Sequence, residues 1–404
     1  MIFLVNIMKN KFFLLGLFVC MVIHIIDILI THYTPAWIPG NGYILSHYLL
    51  SYDLSFMTRS LIGTIYQHVT SHLPSQVFFL LFLLFQVLLF FAITWYFYRC
   101  IKKNDFSESS ILLFCSYLLI PMTFLTFYDY GRFDVILLFL AFFSLLLIRY
   151  IKIAACLLIP ALMCIGILTH EAFLFYYIPF LIAWSIFYWD HNVKKTYFLP
   201  FCIILGMVMS LYLLFLMRKD IPDGGEIAAY IAERNHFGHI PEHEVTIGAY
   251  AGENEETKTY FKHFISMFDS GVIINFLTGI LVFSACCVLP GYILYSLHQH
   301  VQSRKEKYKI ILLALSCLSP LTLCIIALDF GRWFAVSLWC IYMCCFSLFD
   351  LYRDWKVPIS NKLLYYQIIL LAVLHISEPC ELNFNRFWCF LSDKINKVLI
   401  FLVS

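Results

Sequence analysis

Long apolar runs, separated by short polar interruptions, extend along the whole chain. A helix needs about 20 apolar residues to cross roughly 30 Å of hydrocarbon, and runs near that length recur throughout. The apolar positions are continuous rather than alternating, which favours membrane helices over the strands of a transmembrane barrel. We therefore predict eleven membrane-spanning helices, at residues 11–30, 76–98, 110–127, 134–150, 153–169, 172–189, 197–217, 271–297, 309–328, 333–351 and 363–376.

The last eighteen residues, 387–404, fit this pattern less well. Asp393, Lys394 and Lys397 lie near the middle of the segment, where a charge would cost a few kcal/mol at the bilayer centre. The segment forms either a twelfth span or an interfacial helix. The predicted fold is an all-α, polytopic transmembrane bundle of 11–12 spans, organised as one multi-span domain over residues 1–404.

Composition agrees with this pattern and excludes a water-soluble globular domain. Apolar residues make up 62% of the chain and charged residues 13%, whereas a soluble domain carries about 25% charged residues. The mean hydropathy is +0.84. The chain has no glycine-rich phosphate loop, so we expect no nucleotide site and no nucleic-acid partner.

The basic residues predict the orientation of the bundle. If the N-terminus is cytoplasmic, most of the 27 Lys and Arg residues fall in the short inner connections, among them Lys9, Arg99, Arg149, Lys194, Arg304 and Arg353. That bias is what the positive-inside rule predicts. The expected location is a bacterial cytoplasmic (inner) membrane, crossed several times.

Two longer polar segments then lie outside, in the periplasm. The first outer loop, residues 31–75, carries apolar residues at helical spacing, which predicts amphipathic helices on the outer leaflet: Phe56, Leu61, Ile65 and Val69. The second outer loop, residues 218–270, is acidic, with ten Asp or Glu against five Lys or Arg. It is long for a simple connection between two helices.

A short motif occurs twice at junctions between apolar runs, as "DYGRF" from Asp129 and as "DFGRW" from Asp329. In each copy Asp and Arg are three residues apart, so they share a face in a helical turn and can pair. The motif is either a structural hairpin, in which the two charges neutralise each other, or a phosphate-binding site, in which Arg132 and Arg332 offer planar guanidinium groups.

Other isolated polar residues also fall on the predicted outer side. Asp53 and Arg59 lie in the first outer loop, Asp134 follows the first copy of the motif, and His170 with Glu171 forms the next outer turn. Each cluster alone can simply mark a helix end in water. Their restriction to one face favours a functional site, since charged groups inside membrane proteins are costly.

The outer face also limits the chemistry. Nucleotide-activated sugars are absent there, so a transferase needs a donor carried on a lipid, such as a sugar on polyprenyl phosphate or diphosphate. Glycosyl transfer needs a carboxylate to deprotonate the acceptor and positive charge to stabilise the departing phosphate. Candidate catalytic residues are Asp53, Asp129, His170 and Glu171; candidate phosphate contacts are Arg59, Arg132 and Arg332; Asp134 and Asp329 are supporting residues.

This organisation resembles the GT-C class of polyprenyl-phosphate-sugar glycosyltransferases and the bacterial O-antigen and capsule polymerases. The resemblance rests on a long first outer loop with Asp53 and surface helices, eleven or more spans and a second outer loop. It implies polymerisation of a surface polysaccharide, with Asp53 at the position of the catalytic acidic residue of the class and with Arg59, Arg132 and Arg332 in contact with phosphate. Asp53 stands alone where the class has paired acidic residues.

Two other functions remain open at this point. A transporter or flippase of a lipid-linked oligosaccharide would explain the similar position of the two motif copies, six helices apart, as in transporters with parallel halves. A scaffold or sensor is also compatible with the pattern. The outer carboxylates are too scattered to propose metal ligands, and the sequence assigns no cofactor. Expected partners are a polyprenyl-linked saccharide, the lipid bilayer and other polysaccharide-assembly proteins.

Overall fold

The computed structural model describes residues 42–57, 59–119, 132–192, 198–219, 222–237, 270–325, 330–360, 362–364, 366–367 and 369–370. Within these ranges all regular secondary structure is helical, as the apolar runs predict. The predicted span at 11–30, the segment at 387–404 and most of the second outer loop lie outside the described residues.

Thirteen α-helices are numbered here in chain order over the described part of the sequence. They are α1 Gly42–Leu49, α2 Ser60–Thr70, α3 Ser75–Lys103, α4 Glu108–Leu119, α5 Asp134–Tyr150, α6 Lys152–Thr169, α7 Phe173–Tyr176, α8 Ile178–Asn192, α9 Phe198–Met217, α10 Gly224–Arg234, α11 Ser270–His300, α12 Arg304–Ser316 and α13 Phe330–Leu351. A 3₁₀ helix, Ser319–Ile325, follows α12.

Five helical segments among the described residues are long and apolar enough to cross a membrane. They are Ser75–Lys103, Phe198–Met217, Gly279–His300, Arg304–Cys324 and Phe330–Leu351. The helix α5, Asp134–Tyr150, coincides with the predicted span at 134–150. The chain is therefore a polytopic helical membrane protein, as predicted.

Two predicted spans are interrupted, and a proline lies at each interruption. The span at 172–189 divides into α7 and α8 at Tyr177, two residues before Pro179. The span at 309–328 ends as an α-helix at Ser316 and continues as the 3₁₀ helix that contains Pro320. Proline lacks the N–H that an α-helix requires and disfavours the helical conformation in the preceding residue.

The chain divides into two compact units. Unit A comprises Ile26–Trp95 and Phe127–Thr259, and unit B comprises Met1–Ile25, Tyr96–Thr126 and Tyr260–Ser404. In unit A, α6 packs against α5 and α9. A Cβ at Gly206 of α9 would lie 2.8 Å from the Cα of Pro160 in α6, so these two helices approach at backbone distance.

The two predicted outer loops pack together in unit A. The helices α1 and α2 from the first loop and α10 from the second share one hydrophobic cluster, in which Tyr48, Tyr66 and Ile227 are fully buried. The helix α2 buries Ile62 and Tyr66 in this cluster, while Phe56 and Ile65 stay 43% and 45% exposed. The helices predicted in the first loop are confirmed. Two residues of their predicted apolar stripe, Phe56 and Ile65, are exposed and do not pack in this cluster.

Unit B has a buried central helix. In α13, nearly every residue from Phe330 to Asp350 is buried, and the helix packs against α4, α11 and the 3₁₀ helix. A helix that is apolar on all sides is expected to be enclosed by its neighbours.

Candidate functional site

Six of the candidate residues chosen from the sequence are described in unit A, and one in unit B. Unit A contains Asp53, Arg59, Arg132, Asp134, His170 and Glu171, and Arg332 belongs to unit B. Asp129 and Asp329 lie outside the described residues. The Asp–Arg pairing predicted within each copy of the repeated motif therefore stays a prediction.

An ion pair between Arg59 and Glu171 is the centre of the site. The Arg59 Nε donates a hydrogen bond to Glu171 Oε2 at 3.3 Å, and Nη2 of the same guanidinium contacts Oε1. The two side chains are only 15% and 24% exposed. Two parallel contacts between a guanidinium and a carboxylate fix the orientation of both groups.

The backbone of Arg59 is held in an uncommon conformation. Arg59 precedes α2 as its N-cap residue with φ 68° and ψ −12°, in the left-handed region. A side chain with a Cβ pays about 1–2 kcal/mol for this conformation. Residues in such conformations persist where surrounding contacts enforce them, and they cluster at functional sites.

The turn between α6 and α7 presents Glu171. The helix α6 ends at Thr169, and His170 is extended, with φ −165° and ψ 127°. A Cβ on Gly166 would lie 2.4 Å from a ring carbon of Phe173, so glycine allows Phe173 to fold back onto the last turn of α6. The compact turn therefore positions His170 and Glu171 beside the first outer loop.

His47 is a second partner of Arg59, and the sequence pattern did not predict its role. The Arg59 Nη1 donates to His47 Nε2 at 3.0 Å. Because a guanidinium only donates, this nitrogen of His47 must accept, and the imidazole is neutral. Burial of His47, followed by the charge of Arg59, holds the pKa of its imidazole well below its usual range.

Arg132 adds a second cation to this group. Its charge also lowers the pKa of His47, and the next residue, Phe133, packs edge-on against the His47 ring with 5.9 Å between centroids. Asp134 is 4% exposed in the first turn of α5, where the helix dipole favours a negative charge. We call His47, Arg59, Arg132, His170 and Glu171 the Arg59 cluster.

His170 has a defined hydrogen-bonding state in this arrangement. Its Nδ1 accepts the N–H of Ala172 at 3.1 Å and lies 3.3 Å from Glu171 Oε2. An Nδ1 that accepts a hydrogen bond carries no proton, so His170 is neutral here. The carboxylate of Glu171 is accordingly held by Arg59 and not by an imidazolium.

The pKa of Glu171 reflects these neighbours. Burial alone would raise the pKa of its carboxyl group, but the charge of Arg59 and the hydrogen bonds from its guanidinium outweigh burial and hold that pKa well below its usual range. Glu171 is therefore a stable carboxylate whose two oxygens are both engaged. Such a group is a weak proton acceptor and is better suited to orienting Arg59.

Among the described contacts, none joins Asp53 to the Arg59 cluster. Asp53 occupies an exposed turn, where its N–H donates to Ser51 Oγ at 3.3 Å. The hydroxyl of the adjacent Tyr52 is buried without a hydrogen-bond partner among the described residues. Burial raises the pKa of Tyr52 to about 12, so this hydroxyl keeps its proton.

The helix α10 borders the Asp53 turn. Asp223 caps α10 by accepting the N–H of Glu226 at 2.8 Å, and the Tyr230 hydroxyl hydrogen-bonds with Ser51 Oγ. His236, just beyond α10, stacks on Tyr66, and its Nε2 forms a hydrogen bond with the Tyr66 hydroxyl at 2.9 Å, while its Nδ1 donates to the Arg234 carbonyl. The second loop thus supports the segment that carries Asp53.

In unit B, the described residues include the predicted residue Arg332 and an ion pair that the sequence pattern did not predict. Arg332 lies in the first turn of α13, with its Cζ 5.2 Å from the centroid of the Trp333 ring, and its phosphate contact stays a prediction. At the other end of α13, Lys103 Nζ lies 3.0 Å from Oδ1 of Asp350, whose side chain is 1% exposed. In the sequence, this pair is indicated by Asp350, an acidic residue at the end of an apolar run.

Within the described residues, no group of three or more His, Cys, Asp or Glu side chains is arranged to hold a metal ion. The chain matches no protein-family model, no curated protein and no solved structure.

Proposed function

We propose that the protein transfers a sugar from a polyprenyl-(di)phosphate carrier on the outer face of a bacterial cytoplasmic membrane, and so polymerises a surface polysaccharide such as O-antigen or capsule. The observation that carries the proposal is the Arg59 cluster. In this cluster, Glu171 and His47 hold the guanidinium of Arg59, and Arg132 lies nearby. Such charged groups are costly in so apolar a chain, which supports a functional role for them.

The charges of the Arg59 cluster suit a phosphate leaving group. With His47 and His170 neutral, two arginines face one carboxylate, so the five residues carry a net positive charge. Glu171 and His47 fix the guanidinium of Arg59 before the substrate arrives. A preorganised cation in a site of low dielectric stabilises developing negative charge without further reorganisation.

Asp53 is the group that we assign as general base. Glu171 is engaged with Arg59 and His47 accepts from Arg59, whereas Asp53 is exposed. Its carboxylate takes the proton of the acceptor hydroxyl while the acceptor oxygen bonds to the anomeric carbon of the donor. The bond from that carbon to the phosphate oxygen breaks, and the leaving phosphate keeps the electron pair beside the arginines.

A lipid-borne donor also fits the exposed apolar residues on both sides of Arg59 in the chain. Phe56, Ile65 and Leu73 are each at least 43% exposed. The helix α3 follows directly and exposes Leu80, Leu81, Leu84 and Leu88. Exposed apolar side chains on both α2 and α3 would allow a polyprenyl chain to stay in the bilayer while its phosphate reaches Arg59.

The test is reconstitution of the full chain in liposomes with a fluorescent lipid-linked oligosaccharide. The wild type should lengthen the saccharide on its lipid. Arg59→Ala and Arg132→Ala should lower the initial rate by about 10²–10³-fold, as for other donors that act on the transition state, and Asp53→Asn should also lower it. Arg99→Ala, at an exposed site in α3, is the control and should keep the rate.

Two results would contradict the proposal. Exchange of the labelled lipid between leaflets without elongation would identify a flippase. Normal elongation by all three variants would show that the Arg59 cluster and Asp53 take no part in the transfer.

A further inference from the structure

The N-terminal turn of α2 is not capped by its N-cap residue. That residue is Arg59, and its side chain makes no capping hydrogen bond to the first turn. The first N–H groups of a helix have no partner within the helix. Together with the positive end of the helix dipole, they form a natural site for an anion.

A buried hydroxyl in the same turn needs a partner. Ser60, the first residue of α2, is 0% exposed, and its Oγ has no hydrogen-bond partner among the described residues. Buried polar groups in proteins are nearly always hydrogen-bonded. Among the described residues, a hydroxyl without a partner thus lies beside N–H groups that the N-cap side chain leaves free, which points to a ligand with several acceptor oxygens.

We propose that the N-terminal turn of α2 binds a phosphoryl group through the N–H groups of Ser60, Leu61 and Ile62 and through the Ser60 hydroxyl. This inference rests on the proposed function. In that reaction the site binds the phosphate of the donor next to the Arg59 guanidinium. A left-handed residue followed by a helical one, as at Arg59 and Ser60, turns successive N–H groups toward one point, as in other anion-binding turns.

Two contacts hold this turn in place. A Cβ on Gly63 would lie 1.6 Å from the carbonyl oxygen of Leu50, so α2 lies at backbone distance from the end of α1. Glu171 and His47 fix the side chain of Arg59, which precedes the turn. The N–H groups and the guanidinium therefore keep a constant relative position, which is what discrimination of a tetrahedral anion requires.

The experiment measures phosphate binding to the full chain in nanodiscs by isothermal titration calorimetry. The probes are geranyl phosphate, which carries its phosphate on a lipid, and inorganic pyrophosphate, which does not. Ser60→Ala should weaken binding about 5–10-fold, the loss expected for one hydrogen bond. The Tm of Ser60→Ala without a probe should not fall, because the Ser60 hydroxyl has no hydrogen-bond partner among the described residues.

Two further variants complete the design. Ser60→Asp places a carboxylate in the first turn, which suits the helix dipole, and should abolish binding of both probes while the helical content is retained. Ser71→Ala is the matched control at the other end of α2, where the Ser71 hydroxyl donates to the His68 carbonyl. It should bind both probes as the wild type does.

The outcomes separate the site from the proposed function. Stronger binding of geranyl phosphate assigns a lipid-borne phosphate, and stronger binding of pyrophosphate assigns a free one; either supports an anion site. Unchanged binding in Ser60→Ala and Ser60→Asp, or no binding by the wild type, overturns it. Phosphate binding by a wild type that transfers no sugar would leave the site intact and contradict the proposed function.

Discussion

Arg59 and Glu171 are 112 residues apart in the chain and form a two-point ion pair in unit A. Arg59 precedes α2 in the first predicted outer loop, and Glu171 lies in the turn between α6 and α7. The pair therefore joins the start of a loop helix to the end of α6. It also orients the guanidinium on which the proposed phosphate chemistry depends.

Removal of the Glu171 charge should destabilise unit A. Glu171→Gln leaves Arg59 partly buried without its carboxylate, and we expect a loss of about 1–3 kcal/mol in the free energy of unfolding. Thermal unfolding followed by circular dichroism measures the effect. Glu233→Gln is the control, because the Glu233 side chain is 78% exposed in its pair with Arg234 and should matter by less than about 0.5 kcal/mol. Equal Tm shifts in the two variants would contradict a structural role for the Arg59–Glu171 pair.

Stability should fall as the pH is lowered, in two steps. The folded chain holds fewer protons than the unfolded chain at both His47 and Glu171, because both pKa values are lowered on folding. The contribution of His47 is lost as the pH falls below its ordinary pKa of 6.5. The contribution of Glu171 is lost below its ordinary value of 4.5.

The first step can be assigned with one substitution. In His47→Gln, the amide oxygen can still accept from Arg59 but does not titrate, so the dependence of Tm on pH between about 6.5 and 5 should become flatter. His68→Gln, at an exposed position of α2, should keep the wild-type slope. If His47→Gln kept the wild-type dependence of Tm on pH, the loss of stability below pH 6.5 would belong to another titratable group. The charged and titratable groups that face His47 are Arg59, His170, Glu171 and Arg132.

The close contact between α1 and α2 should not tolerate a methyl group. Gly63→Ala places a Cβ 1.6 Å from the Leu50 carbonyl oxygen, so the backbone must move, and we expect a loss of about 3 kcal/mol or more. In α11, a Cβ at Gly291 meets nothing within 4 Å. Gly291→Ala should therefore be neutral or stabilising by up to about 1 kcal/mol. A Tm for Gly63→Ala equal to that of the wild type would exclude the contact.

The ion pair in unit B should show coupling in a double-mutant cycle. Lys103→Met leaves the carboxylate of Asp350 buried, with Arg353 3.9 Å away, and should cost about 2–3 kcal/mol. Asp350→Asn should cost less, since Lys103 is 29% exposed. The double variant should be more stable than the sum of the two losses predicts, by about 1–2 kcal/mol. Lys102→Met, at an exposed neighbouring site, is the control. If the losses in the free energy of unfolding were strictly additive, Lys103 and Asp350 would not interact.

The sequence by itself determined the helices. Apolar runs predicted α5 at its observed bounds and α9 to within one residue, because a chain in hydrocarbon must satisfy its own backbone hydrogen bonds within each segment. The interruptions before Pro179 and at Pro320 follow from the missing N–H of proline. These are local effects, so they are visible in a few consecutive residues.

Only the tertiary structure decided which polar residues meet. Arg59, His47 and Glu171 come from separate segments, and their contact depends on how α1, α2 and the end of α6 pack. Several charged groups fall on the predicted outer side, and the sequence pattern treats Asp53 and Glu171 alike. Packing separates them, since it buries Glu171 against a guanidinium and leaves Asp53 exposed. The state of a carboxyl group depends on its surroundings in three dimensions, and these are not a property of the local sequence.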